Sequence, residues 1–241
     1  MTGIWIWGWH AVVGALNNSQ RRLLKICVLD RHRAKVAEIL AKTQHSRARI
    51  EYEILPQNIM DRRFGRNHQG IAVLVTDICF WNLGDWLRKQ EADKVEKSVV
   101  IACDLLEDAH NLGAIIRTAA AFKASAVLVT KAKSVPIDGV VAKSAAGGLE
   151  RIPIIKVANL STALREFKEN FYTVFGLDEN GATKWEICQR AVIVLGQEGG
   201  GLRCLTKKNC DQILSIKTCK EFPTLNVSVA AGIAISRFLD Y

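Results

Sequence analysis

The chain has 241 residues, 49% hydrophobic and 24% charged, which is long enough for two modest domains and apolar enough to bury a core, so a disordered or low-complexity polypeptide is excluded. The formal charge is +9, and twelve Lys and Arg against five Asp and Glu fall in residues 1–75, so the chain favours a polyanionic partner and carries most of its excess at one end. Cysteines at 27, 79, 103, 188, 204, 210 and 219 form no C-x-x-C pair, which argues against a disulfide framework or a zinc site and for reduced thiols in the cytoplasm.

Residues 1–16 are apolar and aromatic. They lack a basic leading region and are interrupted by Trp5, Trp7, Trp9 and His10, so they read as a strand entering a helix rather than as a secretory signal. No stretch reaches the roughly 18 apolar residues that a bilayer span needs. Residues 4–7 predict a strand, 11–16 a helix stopped by Asn17-Asn18-Ser19, 24–29 a strand, and 34–42 a helix with Val36, Ile39 and Leu40 on one face. Residues 50–55 and 71–75 are strands, and the stretch from Asp61 to Gly70 between them reads as a polar, basic loop. Residues 1–75 therefore form a small α/β module. Residues 76–97 read as a linker with a short helix. From 98 to 241 six short apolar runs (99–102, 126–130, 152–155, 171–175, 191–195, 212–216) alternate with helical segments, including 112–122, 160–169 and 225–239. Such alternation predicts a mostly parallel sheet covered by helices.

The common nucleotide-binding and zinc-protease fingerprints are missing: there is no G-x-G-x-x-G after a strand, no Walker A loop and no H-E-x-x-H. Instead, the apolar run 191–195 leads straight into Gly196-Gln197-Glu198-Gly199-Gly200-Gly201. Ligands bind beyond the carboxyl ends of strands in open α/β sheets, and glycines there let the backbone approach a ligand; a plain glycine-rich turn is the other reading. Leu214-Ser215-Ile216 ends a strand, and Thr224-Leu225-Asn226-Val227-Ser228 opens a helix of small residues, with Thr224 a possible cap. In Asn111-Leu112-Gly113-Ala114-Ile115-Ile116-Arg117 the asparagine can cap a helix, and Arg117, set among apolar neighbours, calls for an anionic partner.

In this order and spacing the three segments resemble the motifs of the SpoU (TrmH) family. Lys143-Ser144-Ala145-Ala146-Gly147-Gly148-Leu149-Glu150 resembles the segment between the first two motifs. Gly8-Trp9-His10-Ala11-Val12 and His68-Gln69-Gly70-Ile71-Ala72 resemble the family's N-terminal substrate-binding domain. The resemblance implies a two-part α/β chain. Residues 1–75 would be a ribosomal-protein-like RNA-binding domain, and 98–241 a parallel-sheet methyltransferase domain with a deep trefoil knot of the SPOUT type. It implies S-adenosylmethionine as cofactor, no metal, a homodimer, and methylation of an RNA ribose 2′-hydroxyl, with neither DNA nor membrane as partner. The layout is closest to the branch that acts on a guanosine of 23S rRNA. A tRNA guanosine 2′-O-methyltransferase and an inactive ribosome-assembly factor are the alternatives.

Carried over position by position, the resemblance makes Arg117, Asn111, Glu198, Asn226 and Thr224 catalytic. Leu195, Gly196, Gly200, Ile216, Leu225 and Asn226 would bind the cofactor. The basic candidates for RNA contact are Arg62, Arg63, Arg66 and His68 in the first module, with Lys217 and Lys220 in the loop before the third motif. Some positions depart from the family pattern. Ala109 stands where proline is usual, Lys123 where glycine is usual, Lys217-Thr218 where Pro-Met is usual, and Thr224 replaces serine but keeps a hydroxyl.

Overall fold

The computed structural model describes residues 3–43, 50–132, 134–219, 221 and 224–239. Its contacts divide the chain into two units, the first comprising residues up to Cys79 together with Pro136–Arg151, the second comprising Phe80–Val135 and the residues from Ile152 onward.

In the first unit β1 (Gly3–Trp7), α1 (Trp9–Asn17), β2 (Leu23–Val28), α2 (Arg33–Ala41), β3 (Glu51–Ile54), α3 (Gln57–Phe64) and β4 (Ile71–Thr76) follow one another. The sheet order is β1-β4-β2-β3; β4 is antiparallel to both neighbours and β2 runs parallel to β3. Strand alternation places Trp5 and Trp7 on one face, where they pack on Phe64 at 5.0 and 6.2 Å between ring centres. Met60, Phe64, Cys27 and Ala72 complete that small core.

The expected loop over Asp61–Gly70 is corrected here, because its first four residues are the second half of α3. The helix survives among charges because Met60 and Phe64, four residues apart, put one apolar stripe inward, and it ends at Gly65 with φ 72°. His68 is also corrected as an RNA contact. It is buried, Gly70 N–H donates to its Nδ1 at 2.8 Å, and its Nε2 lies 2.9 Å from Asp61 Oδ1, so it braces the turn from inside.

The second unit contains α4 (Leu83–Ala92), β5 (Ser98–Cys103), α5 (Ala109–Ala121) and β6 (Ala126–Thr130). After α6 (Gly139–Ser144), which belongs to the first unit, come β7 (Ile154–Val157), α7 (Leu160–Glu169), β8 (Thr173–Ala182), β9 (Arg190–Leu195), α8 (Cys204–Asn209), β10 (Gln212–Leu214) and α9 (Val227–Phe238). The six strands form one all-parallel sheet in the order β10-β8-β9-β5-β6-β7. Buried on both faces, the central strands β5, β6 and β9 read as continuous apolar runs, as parallel strands do, whereas the second half of β8 is polar and partly exposed.

Alternate residues Val100, Ala102, Val192 and Val194 meet α4 and α7, where Trp86, Phe167 and Tyr172 stack edge to face or tilted. The opposite face meets α9, whose Phe238 lies 4.9 Å from Phe175. The stretch 76–97 is thus more than a connection, since Leu83, Trp86 and Leu87 are part of this core. The strand expected from Phe171 starts at Thr173 instead, because Phe171 is exposed with φ 64° and closes the turn after α7.

Residues 136–151, which the sequence groups with the methyltransferase domain, pack within the first unit. A Cβ at Gly139 would lie 2.1 Å from the Trp7 ring, so glycine lets α6 close on β1. The Arg21 guanidinium is buried against Glu150, with Nη2 to Oε1 at 2.8 Å and Nε to Oε2 at 2.9 Å, while Asn18 Nδ2 donates to Glu150 Oε2 at 2.7 Å.

Two departures from the family pattern have local explanations. Ala109 is the first residue of α5, after the cap Asp108, whose side chain accepts from His110 N–H. Asp108 is extended (φ −94°, ψ 120°), the conformation a following proline requires. Ala109→Pro is therefore expected to stabilise the unit by about 0.4–1 kcal/mol, raising its melting temperature by about 1–4 °C in a calorimetric scan. Lys123 sits at the left-handed position (φ 54°) that closes α5, where Ala124 N–H reaches Ala119 O at 2.8 Å. The chain uses a lysine where the motif favours glycine.

Six of the seven thiols fall into two groups. Burial pushes Cys27 up to about 11, and Cys103 and Cys210 up to about 12, whereas Cys79, Cys204 and Cys219 are exposed. At about pH 8 a thiol reagent should label the exposed three quickly, and Cys27, Cys103 and Cys210 only after unfolding. Peptide mapping of the labelled protein checks the pattern, and rapid labelling of Cys103 in the native protein would contradict it.

Candidate active site

Strand order places the site. From β5 the chain moves to β6 on one side, whereas from β9 it crosses to β10 on the other. The adjacent strands β5 and β9 therefore flank a crevice at their carboxyl ends, where the connections diverge. The first motif leaves β5 there and the glycine loop leaves β9.

The glycine loop is a closed hairpin. Gln197 N–H donates to Gly201 O at 3.0 Å and Gly201 N–H to Gln197 O at 2.9 Å. A Cβ on Gly196 would lie 2.3 Å from the Gly201 carbonyl carbon, so only glycine allows this closure, and Gly199 and Gly201 adopt φ of 73° and 61°. Asp104, just beyond β5, anchors the hairpin: its N–H donates to Leu195 O at 2.9 Å. The buried Asp104 carboxylate accepts from Arg203 Nε at 3.1 Å and from Thr206 Oγ1 at 2.6 Å. Gln197 Nε2 also donates to Glu107 Oε1 at 2.9 Å. Sequence reading missed Asp104, Arg203 and Thr206. Their partners are about 100 residues apart, and no local pattern marks them.

The three motifs meet through their side chains. Ser228 N–H and Oγ donate to Asn226 Oδ1 at 2.9 and 2.6 Å, Asn226 Nδ2 donates to Asn111 Oδ1 at 3.1 Å, and Asn111 Nδ2 donates to Glu198 Oε1 at 2.5 Å. Every donor points towards the Glu198 carboxylate, so the chain of hydrogen bonds is polarised in one direction and fixes both amides. Two expectations change. Asn111 is buried in the first turn of α5 rather than capping it, a task Asp108 performs. The cap of α9 is Asn226, and Thr224 lies outside the helix.

A cavity of about 570 Å³ opens beside this cluster, within the range of small-molecule sites. All six residues expected to bind cofactor, Leu195, Gly196, Gly200, Ile216, Leu225 and Asn226, line it, as do Glu198 and Thr224. Asn111 stands behind Glu198 and Asn226. Arg117 lies on the exposed side of α5, outside the lining, and among the described residues it makes no hydrogen bond or ion pair. Its apolar neighbours Ile115, Ile116 and Ala119 turn inward instead. Sequence reading also missed the lining residues from β8 and α8, which are Leu177, Asp178, Glu179, Asn180 and Lys207.

The basic candidates are dispersed. Arg62 and Arg66 are exposed; Arg63 lies 3.4 Å from Glu53 and over the Trp5 and Phe64 rings, so its charge is partly engaged. Lys217 is exposed, and Lys220 falls outside the described residues. Among the described residues no helix is long and apolar enough to cross a membrane.

The SpoU rRNA Methylase family matches residues 98–236, and the RNA 2′-O ribose methyltransferase substrate binding family matches residues 5–78. An uncharacterized tRNA/rRNA methyltransferase of Synechocystis sp. is 34% identical over 239 residues, covering 95% of this chain, which spans 60% of that relative's length. The 23S rRNA (guanosine-2′-O-)-methyltransferase RlmB of Xylella fastidiosa is 32% identical over 236 residues, covering 96% of this chain and 94% of its own. The SpoU methyltransferase AviRb of Streptomyces viridochromogenes, solved in complex with AdoMet, superposes with a TM-score of 0.80 at 18% identity, covering 98% of this chain and 89% of that one. At that identity the likeness is one of fold.

Proposed function

The chain belongs to the SpoU rRNA Methylase family, and from that premise we propose that it transfers a methyl group from S-adenosylmethionine to the 2′-hydroxyl of a guanosine in 23S rRNA. The observation that carries this reading is the meeting of Asn111, Glu198 and Asn226 at the edge of a cavity lined by both apolar and polar side chains. Leu195, Ile216 and Leu225 offer a surface for a purine, and the Glu198 carboxylate, held by Asn111, complements a cation, so the residues present fit the cofactor. The match to the 23S rRNA relative over nearly its full length supports the substrate class.

When bound, S-adenosylmethionine supplies a methyl group made transferable by its positive sulfur. The protein's task is then alignment and stabilisation of the ribose oxygen as its proton leaves to solvent water. Gly196 and Gly200 keep the loop backbone open to the cofactor, and the Asn226–Asn111–Glu198 relay holds the carboxylate still. Thr224, exposed at the rim, is placed to meet the acceptor. A guanidinium is very hard to deprotonate, so Arg117 is assigned to gripping an RNA phosphate and stabilising the developing alkoxide rather than to acting as a base. Arg62, Arg66 and Lys217 supply salt-sensitive phosphate contacts.

The reading extends to a trefoil knot around the glycine loop and to a homodimer. The apolar Val229, exposed on α9, supports a subunit contact on that helix. It extends also to the cytoplasm, in keeping with cysteines that form no disulfide among the described residues. The test is transfer of labelled methyl from S-adenosylmethionine to protein-free 23S rRNA and, in parallel, to tRNA. Label appearing as 2′-O-methylguanosine in 23S rRNA is expected; label confined to tRNA overturns the rRNA assignment, and no label in either overturns the activity.

A further inference from the structure

The end of the cavity formed by β8 carries chemistry that the three motifs do not account for. Asp178 lies in β8 two residues past Gly176, the last residue of β8 paired with β9, so it stands just beyond the carboxyl end of β9. The carboxylate is 7% exposed and lines the cavity together with Asn180 and Lys207. Its Oδ2 meets Lys207 Nζ at 2.7 Å, and its Oδ1 accepts from Asn180 N–H at 3.2 Å. A carboxylate offers about four lone-pair sites, so about two remain for a ligand.

Burial alone would raise the Asp178 carboxyl, but the Lys207 ammonium and the Asn180 N–H outweigh it and hold the group below the usual carboxylate range. It is an acceptor at neutral pH, never a donor. Lys207 is itself held in place, because α8 is tied to Asp104 through Thr206 and Arg203. The neighbouring loop leaves room: a Cβ at Gly201 would lie 3.3 Å from Asp178 Oδ2.

The chemistry of the missing donors follows from charge and position. The pair with Lys207 is neutral overall, so it has no net charge with which to attract an ionised ligand end. What it lacks is neutral O–H or N–H donors. Asp178 stands on β8, whereas Asn111, which holds Glu198, belongs to the helix that follows β5, so the two come from opposite sides of β9. The charged part of a cofactor belongs with Glu198, which pairs with no cation among the described residues, and the uncharged sugar with Asp178.

On the reading that S-adenosylmethionine is the cofactor, we propose that Asp178, pinned by Lys207, accepts hydrogen bonds from the ribose 2′- and 3′-hydroxyls and makes the pocket selective for ribonucleosides over deoxyribonucleosides.

Calorimetry on the full chain tests this with three ligands: S-adenosylhomocysteine, 5′-methylthioadenosine, which lacks the amino-acid end, and the 2′,3′-dideoxy analogue of the latter. Asp178→Asn, which keeps the shape and removes the charge, is expected to weaken the two diol ligands by about 10- to 100-fold and to leave the dideoxy analogue unchanged. Lys207→Met should weaken the same two ligands several-fold and serves if the first variant does not fold. The proposal is overturned if Asp178→Asn binds S-adenosylhomocysteine as the wild type does, or if it weakens the dideoxy analogue equally. A penalty seen with S-adenosylhomocysteine but absent with methylthioadenosine also overturns it, by placing the contact at the amino-acid end. Failure of the wild type to bind S-adenosylmethionine or S-adenosylhomocysteine would instead sink the cofactor reading beneath it.

Discussion

Replacing Arg117 with alanine should lower methyl transfer by at least about 10²-fold, the order seen when one preorganised donor to a developing oxyanion is removed. The fold should survive. Arg117 is exposed on α5 and makes no hydrogen bond or ion pair among the described residues, so its loss belongs with surface changes worth about ±0.5 kcal/mol. Arg117→Lys should recover little, because a point charge on a flexible stem cannot reproduce the planar fork that meets phosphate and alkoxide together. Single-turnover rates measured beside a melting curve separate chemistry from folding. A folded Arg117→Ala protein with turnover within a few-fold of wild type would remove this residue from the mechanism.

The second large effect is on stability. Among the described residues Arg21→Ala leaves the buried Glu150 only Asn18 to answer its charge, and breaking such a pair costs about 3–5 kcal/mol. The double replacement Arg21→Met with Glu150→Leu removes both charges and should cost far less, because a buried pair returns little beyond its own desolvation. Amide hydrogen exchange across β1, β2 and β4 reads the first unit separately from the second, which a single unfolding transition of a two-unit chain does not. Equal loss of protection in the single and double replacements would contradict this account of the pair.

How much was legible in the sequence depended on whether partners were local. All six strands of the second unit and the helices α5, α7 and α9 are visible as apolar runs and periodic segments, because each is specified by its own residues. The six residues that the resemblance assigns to the cofactor all line one cavity, because the motifs that carry them lie where the sheet topology opens. What stayed hidden depends on distant partners. Helix α3 keeps only Met60 and Phe64 as an inward stripe within a charged stretch, so composition suggested a loop. His68 looks like a surface base in a basic run, yet Asp61 and Gly70 draw it inside. The packing of residues 136–151 in the first unit rests on Arg21–Glu150 and on Gly139 beneath Trp7, pairs more than 120 residues apart. The same holds for Asp104 and Asp178, single acids in ordinary strand ends whose roles emerge only beside Arg203, Thr206 and Lys207.

The departures at positions 109 and 123 show the converse. Each has a backbone reason in the structure, the first turn of a helix and the left-handed residue that closes it, so the usual proline and glycine can be understood from conformation alone.

The central claim is methylation of a ribose 2′-hydroxyl in rRNA, and mapping 2′-O-methyl groups across all stable RNA from cells with and without the gene tests it most directly. The account predicts that one guanosine of 23S rRNA loses its 2′-O-methyl group when the gene is removed and regains it on complementation with the wild type but not with Arg117→Ala. An unchanged rRNA map, with a methyl group lost from a tRNA or from no RNA, would contradict it.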